Sequence, residues 1–175
     1  MFDRCTSLTA APALCATVPA GDAYKQMFLS CYSLTSVPDL NLTGTFSGTF
    51  CQMFEGCSAI TDASQITLPE ENSAAQWAYY SMFNKCYGLV SGPHIRAKDG
   101  GKSAFAYMFD GCSALTSIQV DFTAWPTASN ANQLWVRQVY AEGVFTCPTS
   151  LGTDSTITKN NYKCPYNFVV TNSDA

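Results

Sequence analysis

The sequence predicts an α/β repeat solenoid, each turn built from one short helix and one short strand, with a C-terminal cap closing the array. Three observations lead there. The phrase Met-Phe-x-x-Cys-x-x-Leu (Ile in the third copy) starts at Met1, Met27, Met53, Met82 and Met108, in steps of 26, 26, 29 and 26 residues. A repeat of about 20–50 residues marks a stack of like turns. An aromatic stands three places before each later Met (Tyr24, Phe50, Tyr79, Phe105). Aromatic, Met, Phe and Cys thus fall at i, i+3, i+4 and i+7, one apolar face of a short helix. Apolar residues make up 47% and charged residues 13%, as expected where neighbouring turns cover each other.

The first turn carries Phe2, Cys5 and Leu8. Met1 is already the Met of the phrase, so the chain is expected to be a segment of something longer. Phe2, Cys5 and Leu8 then form an expected assembly face, because large apolar patches rarely stay exposed. In the next four turns the helix is expected to end near the Cys, where Gly56 and Gly111 stand. A short strand follows each Cys, clearest in Leu34-x-x-Val37 and Leu115-x-x-Ile118-x-Val120. Pro12, Pro38 and Pro93 keep these strands short, since proline cannot donate to a ladder. Residues 43–48, 70–73 and 98–102 are polar loops, and the 29-residue step places its extra residues near 70–75.

After Leu115 the phrase decays. Leu134 and Trp135 replace Met and Phe, and Gln138 replaces Cys, as expected of a terminal repeat that covers an open core end. Segments 144–147 and 166–170 read as strands around a polar loop. The chain therefore divides into five repeats over 1–124 and a degenerate repeat with its cap over 125–175.

A segment ending x-Phe-x-x-Cys, followed by x-x-Leu-Thr and a Pro, resembles the BspA-like leucine-rich repeats of bacterial surface proteins of the Bacteroidota type, found also in some of their phages. The resemblance covers residues 1–120. It implies a right-handed leucine-rich-repeat-like coil, with a short-stranded parallel sheet on one side and short helices on the other. It also implies a secreted or surface-exposed location and a role in adhesion or partner binding.

Signs of chemistry are few. The nine cysteines include no CxxC, and His94 is alone, so no zinc site is expected. Cys5, Cys31, Cys57, Cys86 and Cys112 stand in phase and read as small buried apolar residues. Cys147 and Cys164 either pair across a loop or stay free. His94 lacks a nucleophile and an orienting acid at motif spacing and is expected to face solvent. Trp135 reads as cap core. Trp77 and Trp125 read as packing, with carbohydrate stacking as the lesser alternative. Asn41-Leu42-Thr43 is a glycosylation triplet, and Glu70 and Glu71 read as solvated loop acids.

Lys85, Tyr87, His94, Arg96, Lys98 and Lys102 cluster in or beside the fourth turn as a candidate docking patch. The net charge of −4 disfavours a nucleic-acid backbone as partner, and no run approaches a membrane-spanning length. The expectation is a non-enzymatic module without metal or cofactor that binds protein or glycan at a cell surface or after secretion. The alternative is a structural subunit of an assembly, such as a phage fibre, a virion decoration protein or an extracellular filament.

Overall fold

A computed structural model describes residues 1–14, 20–38, 40, 47–68, 75–97 and 100–174. Cys15, the triplet at Asn41, the acids Glu70 and Glu71, and Lys98 lie outside the described residues. The chain winds as an all-β solenoid of stacked coils. One side of the coils carries a parallel sheet of five strands in the order β1-β2-β3-β4-β5. These are β1 (Thr67–Leu68), β2 (Ser91–Ile95), β3 (Ser117–Val120), β4 (Gly143–Cys147) and β5 (Phe168–Asn172). An isolated parallel bridge, Ala10 to Ser36, marks the same side of the first two coils.

The other side holds no helix: none occurs among the described residues. Segments 22–30, 48–56, 77–85, 103–111 and 130–138 are ribbons of overlapping β-turns, the second to sixth ribbons when counted by coil. Along each ribbon, alternate N–H groups donate three residues back, as Met27 does to the Tyr24 carbonyl at 3.1 Å. The intervening N–H groups donate to the next coil, as Tyr24 does to Thr49 at 3.0 Å. Every fourth residue has positive φ, as in Asp22, Gln26 and Ser30 (56°, 55° and 57°). That is the requirement of a turn with its third residue left-handed.

These observations correct the α/β expectation and with it the likeness to BspA-like leucine-rich repeats, which carry helices on this side. Over eight residues, a turn unit of four and a helical turn of about 3.6 bury nearly the same positions, so apolar spacing could not separate them. Composition favours the ribbon. Gly48, Gly56, Gly111, Ser30, Ser81 and the aromatics are poor helix formers, and glycine suits the left-handed positions. Half the N–H groups also gain partners in the neighbouring coil that a helix would spend internally.

The inter-coil bonds line up end to end. Phe2 N–H donates to the Met27 carbonyl, Phe28 to Met53, Phe54 to Met82, Phe83 to Met108 and Phe109 to Trp135, at 2.7 to 3.0 Å. Each accepting carbonyl belongs to the same peptide group as the next donor. Five such rows cross from the second ribbon to the sixth. The rows also reset the register of the last coil: Trp135 occupies the Met place and Val136 the Phe place, one residue later than the phrase suggests. Val139, 7% exposed, takes the Cys place.

Inside, the phrase becomes columns. Phe2, Phe28, Phe54, Phe83 and Phe109 stack with centroids 5.4 to 6.1 Å apart and planes within 18°. Tyr24, Phe50, Tyr79 and Phe105 form a second stack, with planes within 15°. Offset stacking of this kind adds to the burial of large apolar area. The cysteine column is explained by the carbonyls beside it. The thiols of Cys31, Cys57, Cys86 and Cys112 donate at 3.0 to 3.1 Å to the carbonyls of Phe2, Phe28, Phe54 and Phe83. Each of these carbonyls already accepts the N–H of its own coil's Cys, so the thiol uses the second lone pair.

The stacks end where the rings turn. Phe109 meets Trp135 at 51°, and Phe105 meets Phe122 at 59°. Residues 161–163 then close the end of the coil. Val136 N–H donates to the Asn161 carbonyl (3.3 Å), the Asn132 amide to Tyr162, and the Trp135 indole to Lys163 (2.8 Å). The guanidinium of Arg137 binds buried Asp110 through two contacts of 2.9 and 2.6 Å, fastening the sixth ribbon to the fifth. The outer edge of β5 is blocked, because Val170 N–H donates to the Asp154 carboxylate (3.0 Å), which Lys159 holds at 2.8 Å. Such protection keeps an edge strand from recruiting another chain.

Gly143 opens β4 where the cap meets the repeats. A Cβ there would lie 2.3 Å from the Thr116 carbonyl oxygen and 2.7 Å from the Phe168 ring. Gly143→Ala is expected to destabilise the protein by about 2–3 kcal/mol through overpacking. The urea midpoint should fall without a change in slope; an unchanged midpoint would contradict this packing.

Candidate binding surface

The outer side of the turn ribbons carries two clefts across the second to fourth coils. The first, of about 310 Å³, is lined by Ser30, Tyr32, Glu55, Gly56, Ser58, Lys85 and Tyr87. Tyr32, Ser58 and Tyr87 each follow the column cysteine of their coil. The small Ser58 between two exposed tyrosines (54% and 53%) leaves the notch. Gly56, at φ 77°, and Ser30 complete it.

The second cleft, of about 330 Å³, is lined by Lys25, Cys51, Gln52, Trp77 and Tyr80. Trp77 has φ 57° and its side chain is half exposed. The same column elsewhere holds Asp22, Gly48, Ser103 and Asn130, all with positive φ. These are residue types that accept the left-handed region far better than a bulky ring does. Burial pushes the Cys51 thiol up to about 11, so it contributes a neutral wall and little nucleophile.

A hydrogen-bond chain joins the clefts. The Gln26 amide donates to Gln52 Oε1 at 3.0 Å, and Gln52 Nε2 donates to Glu55 Oε2 at 2.6 Å. Gln52 lines one cleft and Glu55 the other, so the two form one elongated polar surface edged by aromatics.

The residues singled out from sequence divide around the coil. Lys85 and Tyr87 meet in the first cleft. His94 and Arg96 lie on the sheet side, in and just after β2. Lys102 stands before the fifth ribbon, where its carbonyl accepts Trp77 N–H at 3.1 Å. His94 is half-buried and not simply solvent-facing: its Nε2 lies 2.8 Å from Asp121 Oδ1. An irregularity between Ser91 and His94 shifts the pairing so that His94 stands opposite Gln119.

At the first coil, Phe2 and Leu8 are half-buried and Cys5 is exposed, whereas their counterparts Phe28, Cys31 and Leu34 are fully buried. Cys147 and Cys164 are free, and their thiols contact separate carbonyls, those of Gly152 and Pro165. Trp125 stacks on Phe145 and carries the Lys163 ammonium at 5.9 Å, so it belongs to the cap. Among the described residues, no group of three or more His, Cys, Asp or Glu is placed to hold a metal ion, and no helix is long and apolar enough to cross a membrane.

The lining residues Tyr32, Gln52, Glu55 and Tyr80 escaped the sequence reading. The signal that marks them is column membership: variation at outward positions across consecutive repeats, Tyr-Ser-Tyr in one column and a lone Trp in another. Comparison with protein-family models, curated proteins and solved structures finds no match for this chain.

Proposed function

We propose that this protein is a non-enzymatic binding module, secreted or displayed on a cell surface or virion, that recognises a protein or glycan through the outer side of its turn ribbons. The observation that carries the reading is the pair of joined clefts, edged by exposed Tyr32, Tyr87 and Trp77 on a frame of stacked columns. The backbone beneath is fixed by inter-coil bonds, so binding there costs little backbone ordering. The buried column thiols from Cys31 to Cys112 are shielded from oxidation, whereas Cys5 is exposed.

The test is a panel of immobilised glycans and purified surface proteins, run beside broad hydrolase substrate profiling. Saturable binding is expected, with any background turnover the same in wild type and His94→Ala. Turnover that His94→Ala abolishes would point to an enzyme instead. A second reading, assembly through the first coil, is favoured by the half-covered Phe2 and Leu8. Light scattering that finds only monomer at high concentration counts against it.

A further inference from the structure

We propose that the two joined clefts bind a neutral oligosaccharide, one sugar ring lodged between Tyr32 and Tyr87 and a neighbouring unit resting on Trp77. The proposal builds on the binding-module reading and names the ligand class and the residues that hold it.

Spacing comes first. Tyr32 and Tyr87 stand two coils apart, which at the usual inter-strand repeat is about 9.6 Å of backbone separation. A flat aromatic ligand sandwiched between two rings needs only about 7 Å, twice a van der Waals contact of about 3.5 Å. A saturated ring with axial hydrogens is thicker, and a notch that spans two coils of backbone has room for it. Its C–H faces pack against aromatic faces while its hydroxyls leave at the rim.

The polar groups match hydroxyls better than they match a charged ligand or a peptide. The first cleft is lined by one carboxylate, Glu55, and one ammonium, Lys85. In the second, Lys25 is already paired with Asp22 at 3.4 Å. A polyanion would meet Glu55 and a polycation would meet the lysines. Glu55 is oriented by Gln52 through one oxygen, leaving its other oxygen free to accept from a diol. An extended peptide would seek unpaired backbone groups, but the ribbon N–H groups are already spent on turns and on the next coil.

Trp77 supplies the independent observation. A bulky residue in the left-handed region is disfavoured, and Trp77 is held there with its ring half exposed at the cleft. Packing does not require a ring in this column, which holds Asp22, Gly48, Ser103 and Asn130 in the other coils, while Tyr107 and Leu134 take left-handed positions in the neighbouring column. A ring half exposed at the cleft suits a stacking platform.

The experiment uses the whole chain on an array of neutral, sialylated and sulfated oligosaccharides, with calorimetric titration of the strongest neutral ligand. Trp77→Ala and Tyr87→Ala should each weaken that ligand roughly ten-fold or more, about 1.4 kcal/mol. Tyr140→Ala, at an exposed tyrosine in the cap region, should leave affinity unchanged, with folding of all variants checked by circular dichroism. Neutral glycan binding that survives both cleft substitutions overturns the site but not the module. Binding confined to acidic glycans or to proteins overturns the ligand class alone. No binding to any glycan or protein overturns this proposal and the module reading together.

Discussion

Phe54→Ala is expected to cost about 3–5 kcal/mol, the range for deleting a fully buried aromatic ring. Phe54 is 0% exposed and stacks between Phe28 at 5.6 Å and Phe83 at 5.4 Å, so its loss breaks one column in the middle. That is a large share of a total stability of about 5–15 kcal/mol. Because each coil leans only on its neighbours, the damage should be local. Hydrogen exchange should show lost protection in ribbons 22–30, 48–56 and 77–85, while β4 and β5 retain theirs. Uniform loss along the chain would mean that the coils unfold as one unit.

Alkaline unfolding should be equally large. Burial pushes Cys57 and Cys164 up to about 12, and raises Cys86 and Cys112 as well. The folded state therefore keeps these protons while the unfolded chain releases them from about pH 8.5. Stability is complete below that pH and falls as pH rises toward the folded values. At pH 10 Cys57 withdraws on the order of 2 kcal/mol, and Cys86, Cys112 and Cys164 act in the same direction. Stability should therefore fall steadily from about pH 8.5 upward. The double variant Cys57→Ala/Cys112→Ala should lower the slope of stability against pH by about two protons. A flat profile up to pH 10.5 would show that the thiols do not control it.

Several layers of this structure were legible in the sequence. The period gave the coil count because residues that stack must recur, and the identity of each column followed from its spacing. The strands at 144–147 and 166–170 fall within or against β4 and β5. What failed was the conformation of the ribbon. Two backbones that bury the same positions differ in where N–H groups point, and side-chain spacing does not record that. The serines and glycines at Ser30, Gly56, Ser81 and Gly111 did record it, as positions that tolerate φ above zero. The off-register sixth coil was hidden for a related reason: Leu134 and Trp135 fit the Met-Phe phrase one place early, and only hydrogen bonds fix the phase. The clefts escaped because their residues differ from repeat to repeat, and periodicity draws attention to what stays the same.

The inter-coil rows also give the ribbon side of the solenoid an electrical polarity, whereas bonds on the sheet side run both ways. In each row the linked peptide groups point the same way, N–H toward the C-terminal coils and C=O toward the first. Each peptide carries about 3.5 D, and aligned dipoles add as they do in a helix. Here the signs are reversed: the partial negative end lies at the first coil and the positive end at the sixth ribbon. The first coil carries both Arg4 and Asp3, paired at 3.8 Å. At the positive end, the Asn161 carbonyl meets the Val136 N–H that ends one row, while the carbonyls of Tyr162 and Lys163 take the side-chain donors of Asn132 and Trp135. The cap thus closes that row electrostatically as well as sterically.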